Sequence, residues 1–419
     1  MLDTPDAQPE RDDEQGADGQ AVAAARDAVG VGLGLACATK YTGGIVLVAI
    51  VAAAGAQFAF PGGRRPALRG LGMVGGAALV AFVVANPYAV LDFGSFWDGL
   101  RHQSDASGDA AGKLGLTQDN GWLYYIWSFG WGLGYVPLAF AAGGAVRLWR
   151  DERRLVWVLV PAVVLFVLFM GSQERYFGRW LMPVIPFVCV LAAYAGLELA
   201  DWLGRRRPPL RPTFLALVVV ALVGQGVVYS LHNGLVLSRE DTRNMTRDWM
   251  VANIPPGTKI VVEPVVPDQW AQDIGDPSPV TNTGNRWVKY LTSRSLVDPD
   301  TGRAVAAPGV VVNIEDYERV LYPELVDRYE ETGYCWVVSG STQRGRAEVE
   351  PGEVPQATAY YRELEARSRI AYQASPYVEG QGPVAFNFDW TFNYYPLAYH
   401  RPGPVMTVYR LTGGQCAGA

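Results

Sequence analysis

Residues 28–233 form an array of apolar runs separated by short basic or aromatic connectors, and this array restricts the fold more than any other feature of the chain. The clearest runs are residues 67–85, 122–148, 155–171, 180–203 and 214–231. Each is near the roughly 20 residues a helix needs to cross about 30 Å of hydrocarbon, and none has a charge at its centre. A sixth run lies within residues 43–60. Residues 28–39 ahead of it are apolar but short, which fits a half-crossing or the short helix of a hairpin. The expectation is a polytopic α-helical membrane protein.

The arginines orient these spans. Clusters at Arg64, Arg65 and Arg69, at Arg147 to Arg154 and at Arg205 to Arg211 alternate with connectors poor in basic residues. Basic loops stay in the cytoplasm, so residues 86–120 and 171–179 are expected on the extracytoplasmic side, together with everything after His232. Trp122, Tyr124, Tyr125, Trp127 and Trp131 fit an aromatic belt at that outer face. The implied location is the plasma membrane, multi-pass. Residues 1–25 read as a disordered acidic tail, 26–233 as the transmembrane helical domain and 234–419 as an extracytoplasmic soluble domain. The tail has neither the basic start nor the apolar stretch of a secretory signal. Running straight into Gly30-Val31-Gly32-Leu33-Gly34, it reads as the opening of a later part of a longer polypeptide.

Those glycines have two readings. No strand precedes them and Lys40 does not complete a phosphate-binding loop, so close helix packing by small residues is the expected role. Lys40 itself, in Ala38-Thr39-Lys40-Tyr41-Thr42, either snorkels to the interface or binds something, because a cation between two apolar segments is costly otherwise. Asp92, in the loop that follows Asn86-Pro87-Tyr88, is an acidic group on the outer face that serves a substrate or simply caps a helix. The connector Gln173-Glu174-Arg175-Tyr176-Phe177-Gly178-Arg179-Trp180 is more telling. It places two arginines on the side that should be poor in them. Guanidinium groups match phosphate oxygens, and the neighbouring aromatics suit a sugar or an isoprene; the plainer alternative is an Arg–Glu surface pair.

After His232 the pattern changes. An amphipathic helix opens at Arg239 and runs to Ala252, and Lys259-Ile260-Val261-Val262-Glu263 has the β-branched composition of a strand. Further strands are expected at 309–313, 334–339 and 405–411, and helices at 314–321 and 358–368, which make an α/β or α+β domain large enough for its own core. Of the four cysteines, Cys37 and Cys189 fall in membrane spans and read as small packing residues. Cys335 and Cys416 both lie in the exported domain, where they stay as thiols or close a disulfide that ties the tail to the strand at Tyr334. His102, His232 and His400 have no metal-ligand spacing, so no metal or other cofactor is expected. A net charge of −6, with basic residues serving topology, argues against nucleic-acid binding.

Together, Gly32-Leu33-Gly34-Leu35-Ala36 leading into Ala38-Thr39-Lys40-Tyr41-Thr42-Gly43, then Asn86-Pro87-Tyr88 with Asp92, then Arg175-Tyr176 ahead of Pro183 and Pro186, resemble the phospholipid-carrier-dependent glycosyltransferases. These are membrane enzymes of the protein O-mannosyltransferase and aminoarabinose-transferase kind, with the GT-C fold. The stretch from Thr246-Arg247-Asp248-Trp249-Met250 to Pro255-Pro256-Gly257 is similar to the start of the exported domain of bacterial members. The resemblance implies a GT-C-like chain of about six spans plus a short hairpin helix, with a C-terminal exported domain. Its implied partners are a polyprenyl-phosphate-linked sugar, membrane lipid, and a glycan, lipid or protein acceptor. It places Lys40, Arg175 and Arg179 at the donor phosphate, with Tyr41, Asp92 and Tyr176 near the substrate. The family's acidic catalytic residues belong to an outer loop after its first span, which this sequence does not contain, so no catalytic residue is assigned. A non-enzymatic protein that binds a lipid-linked sugar or a cell-envelope partner is the alternative. A transporter is disfavoured by the scarcity of ionisable groups within the spans.

Overall fold

The computed structural model describes residues 9–58, 61–108, 114, 120–173, 176–266, 270, 286–290, 317–384 and 395–418. The chain divides into two compact units, Met1–Ala110 with Asn120–Gly226, and Ala111–Asp119 with Val227–Ala419.

The first unit is helical. Its elements are α1 (Pro9–Thr39), α2 (Val46–Phe58), α3 (Arg64–Ala85), α4 (Tyr88–Leu91), α5 (Phe93–Gly108), α6 (Gly121–Gly132), α7 (Tyr135–Asp151), α8 (Arg153–Gly171), α9 (Ile185–Arg206) and the larger part of α10 (Arg211–Leu237). Among the described residues, four helices are long and apolar enough to cross a membrane, or five if the bent pair α6 and α7 counts as one span. Leu217, Val220 and Val223 on α10, like Leu79 and Val80 on α3, are exposed, as lipid-facing side chains are. The chain is therefore a membrane protein, and among the described residues it shows fewer helices of spanning length than the six spans expected.

Two local causes account for the missing spans, and a third difference lies at the start of the chain. The run at 43–60 yields only the 13 residues of α2, after a 3-10 turn at Tyr41–Ile45. The run at 122–148 is broken by a bend of 111° between α6 and α7. At the break Gly134 has φ +117, a conformation closed to residues with a Cβ. Gln225 of α10 satisfies the opened backbone: its Nε2 donates to the Gly130 carbonyl at 2.9 Å and its Oε1 accepts from Tyr135 N at 3.3 Å. A break in a helix at membrane depth is tolerated when a neighbour supplies those bonds. The third correction concerns the start. The tail expected to be disordered to about residue 25 is helical from Pro9, so residues 28–39 are the end of a 31-residue helix rather than a half-crossing.

The glycines ahead of Lys40 do pack helices. A Cβ on Gly30 would come within 2.7 Å of both Ala77 Cβ and the Val74 carbonyl, and one on Gly34 would strike the Ala78 carbonyl, so α1 lies against the backbone of α3. Gly32 points away, with nothing within 4 Å. Gly34→Val is accordingly expected to destabilise the α1–α3 pair by about 2 kcal/mol, read as a lowered melting temperature of the protein in detergent. Gly32→Ala is the matched control and leaves the melting temperature in place.

The second unit contains α11 (Thr242–Asn253), β1 (Lys259–Val262), β2 (Val288–Lys289), α12 (Glu324–Thr332), β3 (Trp336–Gly340), α13 (Ser341–Val349), α14 (Pro355–Ala366), β4 (Ser368–Ala374) and β5 (Met406–Leu411). The sheet order is β2-β1-β3-β5-β4, with β2, β1 and β3 parallel and β5 antiparallel to both its neighbours. Alternation along the strands feeds two cores. Val261, Val337, Tyr409 and Leu411 join Leu325, Tyr329 and Tyr360 on one face. Ile260, Val262, Val338 and Val408 join Met250 and Ile254 of α11 on the other. Helices therefore cover both faces, an α/β arrangement. The strand expected at 309–313 lies outside the described residues. Cys335 and Cys416 form a disulfide with a Cα–Cα distance of 5.3 Å.

Candidate functional site

Lys40, Tyr176 and Arg179, three of the residues singled out from the sequence, meet at one end of the helical unit. α1 ends at Thr39, and Lys40 follows in an extended conformation (φ −160, ψ 119) before the 3-10 turn. α8 ends at Gly171, and a second 3-10 turn, Gly178–Leu181, leads into α9. The start of α6 closes the site. Asn120 caps it by accepting from Trp122 N and Leu123 N at 3.0 and 3.1 Å, and the Trp122 indole donates to the Leu168 carbonyl at 3.2 Å.

This junction builds a basic and aromatic cluster. The Lys40 ammonium lies 5.6 Å from the centre of the Trp180 ring, and the Arg179 guanidinium lies 4.1 Å from that of Phe177. Phe177 and Trp180 meet edge to face at 5.1 Å. Both residues are exposed, and their charges are close enough to repel each other. Behind them Tyr176 is buried, its ring 5.0 Å from Tyr124 and 6.4 Å from Tyr125. A cation seated on a ring face still has N–H donors to offer an anion, and a like-charged pair gains most from one. The arrangement suits a phosphate whose attached group contacts aromatic surface.

Of the residues expected at a donor phosphate, Lys40 and Arg179 are thus brought together, whereas Arg175 lies outside the described residues. Tyr176 forms part of the buried wall rather than an open contact surface. Tyr41 contributes the first residue of the 3-10 turn. Asp92 is exposed and its Oδ1 accepts from Ser95 N at 3.3 Å, which makes it a cap for α5, the second of its two sequence readings. Trp180 was within the quoted connector, but its role as the platform for Lys40 follows only from tertiary proximity.

The sequence reading missed a second polar cluster, in the C-terminal unit. Glu263 follows β1 at its carboxyl end and is fully buried. Its Oε2 accepts from Ser339 Oγ at 2.8 Å and from Gly340 N at 3.2 Å, at the carboxyl end of β3. Tyr361 stands beside it without reaching hydrogen-bond geometry, and Tyr317 and Tyr360 are close by. Burial pushes the Glu263 carboxyl up to about 7, against the opposing pull of those two hydrogen bonds. Glu318, also buried, pairs with Arg346 at 3.8 Å. Among the described residues no group of His, Cys, Asp and Glu is placed to hold a metal ion.

Comparison of the chain with protein families, with curated proteins and with solved structures returns no match.

Proposed function

We propose that this chain is part of a GT-C-type membrane glycosyltransferase, and that Lys40 and Arg179 hold the phosphate of a polyprenyl-phosphate-linked sugar at the outer face of the membrane. The observation that carries the reading is the convergence of two mutually repelling cations on adjacent aromatic rings at one end of the helical unit. In the proposed reaction an acceptor hydroxyl oxygen bonds to the anomeric carbon as the bond from that carbon to the phosphate oxygen breaks. The electron pair leaves with the polyprenyl phosphate, where the two cations stabilise the added charge. The acceptor's proton passes to a base, a role we assign to no described residue. The Cys335–Cys416 disulfide supports an extracytoplasmic C-terminal unit, because such bonds persist in oxidising compartments.

Binding and turnover test separate parts of this reading. A photoactivatable polyprenyl phosphate should label the protein in proteoliposomes, and Lys40→Ala or Arg179→Ala should each weaken labelling at least tenfold, as expected for a charged hydrogen bond of about 1.5–3 kcal/mol. Lys40→Arg should restore part of it. Labelling that is indifferent to both substitutions overturns the site. Labelling without transfer from a polyprenyl-phosphate sugar points instead to a protein that binds the lipid-linked sugar and does not act on it.

A further inference from the structure

A groove of about 1130 Å³ runs between α2 and α8, from Gly44 and Ile45 of the 3-10 turn that follows Lys40 to Arg153 and Arg154 at the start of α8. That exceeds the roughly 300–1,000 Å³ typical of small-molecule sites. One wall is α2, with Leu47, Val51 and Gly55; the other is α8, with Trp157 and Pro161. Arg153 and Arg154, at the first turn of α8, are the charged residues that line it among the described residues. Its chemistry is therefore divided along its length: an apolar trough, and a pair of guanidinium groups at one end.

The surroundings of that end are those of a membrane surface. Arg153 lies over the Trp149 ring at 5.6 Å and donates from Nε to the Trp149 carbonyl at 3.3 Å. Trp149 and Trp157 pack at 5.9 Å, and indoles concentrate at headgroup depth. Of the nearby acids, Asp151 pairs with Arg147 at 2.9 Å and accepts from the Tyr194 hydroxyl at 2.8 Å, Glu198 pairs with Arg147 at 3.2 Å, and Glu152 precedes Arg153 in the chain. Leu47, Val51 and Trp157 are about half exposed, so the trough presents apolar side chains that only another apolar body would cover.

We propose that this groove holds one anionic phospholipid, with its headgroup phosphate at Arg153 and Arg154 and an acyl chain along α2. Charge complementarity selects the headgroup, and the apolar walls accept the chain. Its basic end coincides with an arginine cluster that the positive-inside rule places in the inner leaflet.

The test is native mass spectrometry of the delipidated full chain titrated with phosphatidylglycerol or phosphatidylethanolamine of matched chains. One phosphatidylglycerol should bind in preference. The double variant R153Q/R154Q should weaken that binding about thirtyfold, at roughly fivefold for each arginine near a membrane surface. Gly55→Trp supplies a steric test that leaves both charges in place. A Cβ on Gly55 meets nothing within 4 Å, so the backbone there accepts a side chain; a melting temperature equal to the parent's checks the fold, and the indole is expected to fill the trough and displace the lipid. Equal affinity for the two lipids, or binding unchanged in both variants, overturns the proposal. So does displacement of the lipid by polyprenyl phosphate in a manner that depends on Lys40, which would give the groove to a donor chain instead.

Discussion

Replacing Cys335 and Cys416 together by alanine is expected to lower the stability of the C-terminal unit by about 4 kcal/mol, the loss of chain entropy restraint for a loop closed over 81 residues. The folded tail has other anchors, which is why the effect falls mainly on the unfolded chain. Gly413 N donates to Glu330 Oε1 at 2.8 Å and the Gln415 amide donates to the Glu331 carbonyl at 2.6 Å. Arg367 in turn pairs with Glu330 and Asp327. With these contacts retained, the double variant should still fold, and the amides of β3 and β5 in the full chain should exchange hydrogen about a thousandfold faster through global opening. An increase below tenfold would mean that the loop is already restrained in the unfolded state. The same pair reports on compartment. In intact cells Cys335 and Cys416 should resist alkylation until a reductant is added, whereas Cys37 and Cys189, which are free thiols in the helical unit, should not need one. Alkylation of all four without reductant would remove the main support for an extracytoplasmic C-terminal unit.

The parts of this fold that were legible in the sequence are those set by local pattern. The helices at 64–85, 153–171 and 185–206 follow from apolar runs of spanning length, and β1, β3 and β5 follow from β-branched residues buried on both faces of a sheet. The small-residue role of Gly30 and Gly34 was legible for the same reason, since only close helix approach makes use of them. What was missed depends on partners remote in sequence. The bend at Gly134 exists because Gln225, about ninety residues on, satisfies the broken backbone. A lone amide between Gly224 and Gly226 in an apolar span was the available signal. β4 was missed because it is an edge strand with little burial and so shows no alternation of apolar and polar residues. At the candidate site the connector 173–180 drew attention through its charge, yet the pairing of Lys40 with Trp180 joins segments that no spacing rule connects. Asp92 illustrates the converse. Of its two sequence readings, substrate contact or helix cap, its hydrogen bond shows the cap.

Raising the pH from 4.5 to 7 is expected to destabilise the C-terminal unit by about 3 kcal/mol through Glu263 alone. The sign follows from linkage. An unfolded glutamate titrates near 4.5, whereas burial holds the Glu263 carboxyl up to about 7, so over that window the folded state binds the extra proton. The favourable contribution is complete below pH 4.5, declines as the pH rises, and is lost above pH 7. The packing around the carboxyl explains why it is held as the acid. It has no exposed surface, and Tyr317, Tyr360 and Tyr361 line it with rings rather than water. Against this, Ser339 Oγ, Gly340 N and the field of Arg344 favour the anion, and they keep the shift from being larger. Glu263→Gln retains an oxygen that accepts from Ser339 and Gly340 while it removes the titration. Chemical denaturation of the full chain in detergent at a series of pH values should therefore show the slope in the parent and its disappearance in the variant, with the two curves meeting near pH 4.5 and the variant more stable at pH 8. A slope that survives the substitution would assign the pH dependence to other groups and leave Glu263 as an ordinary ionised carboxylate.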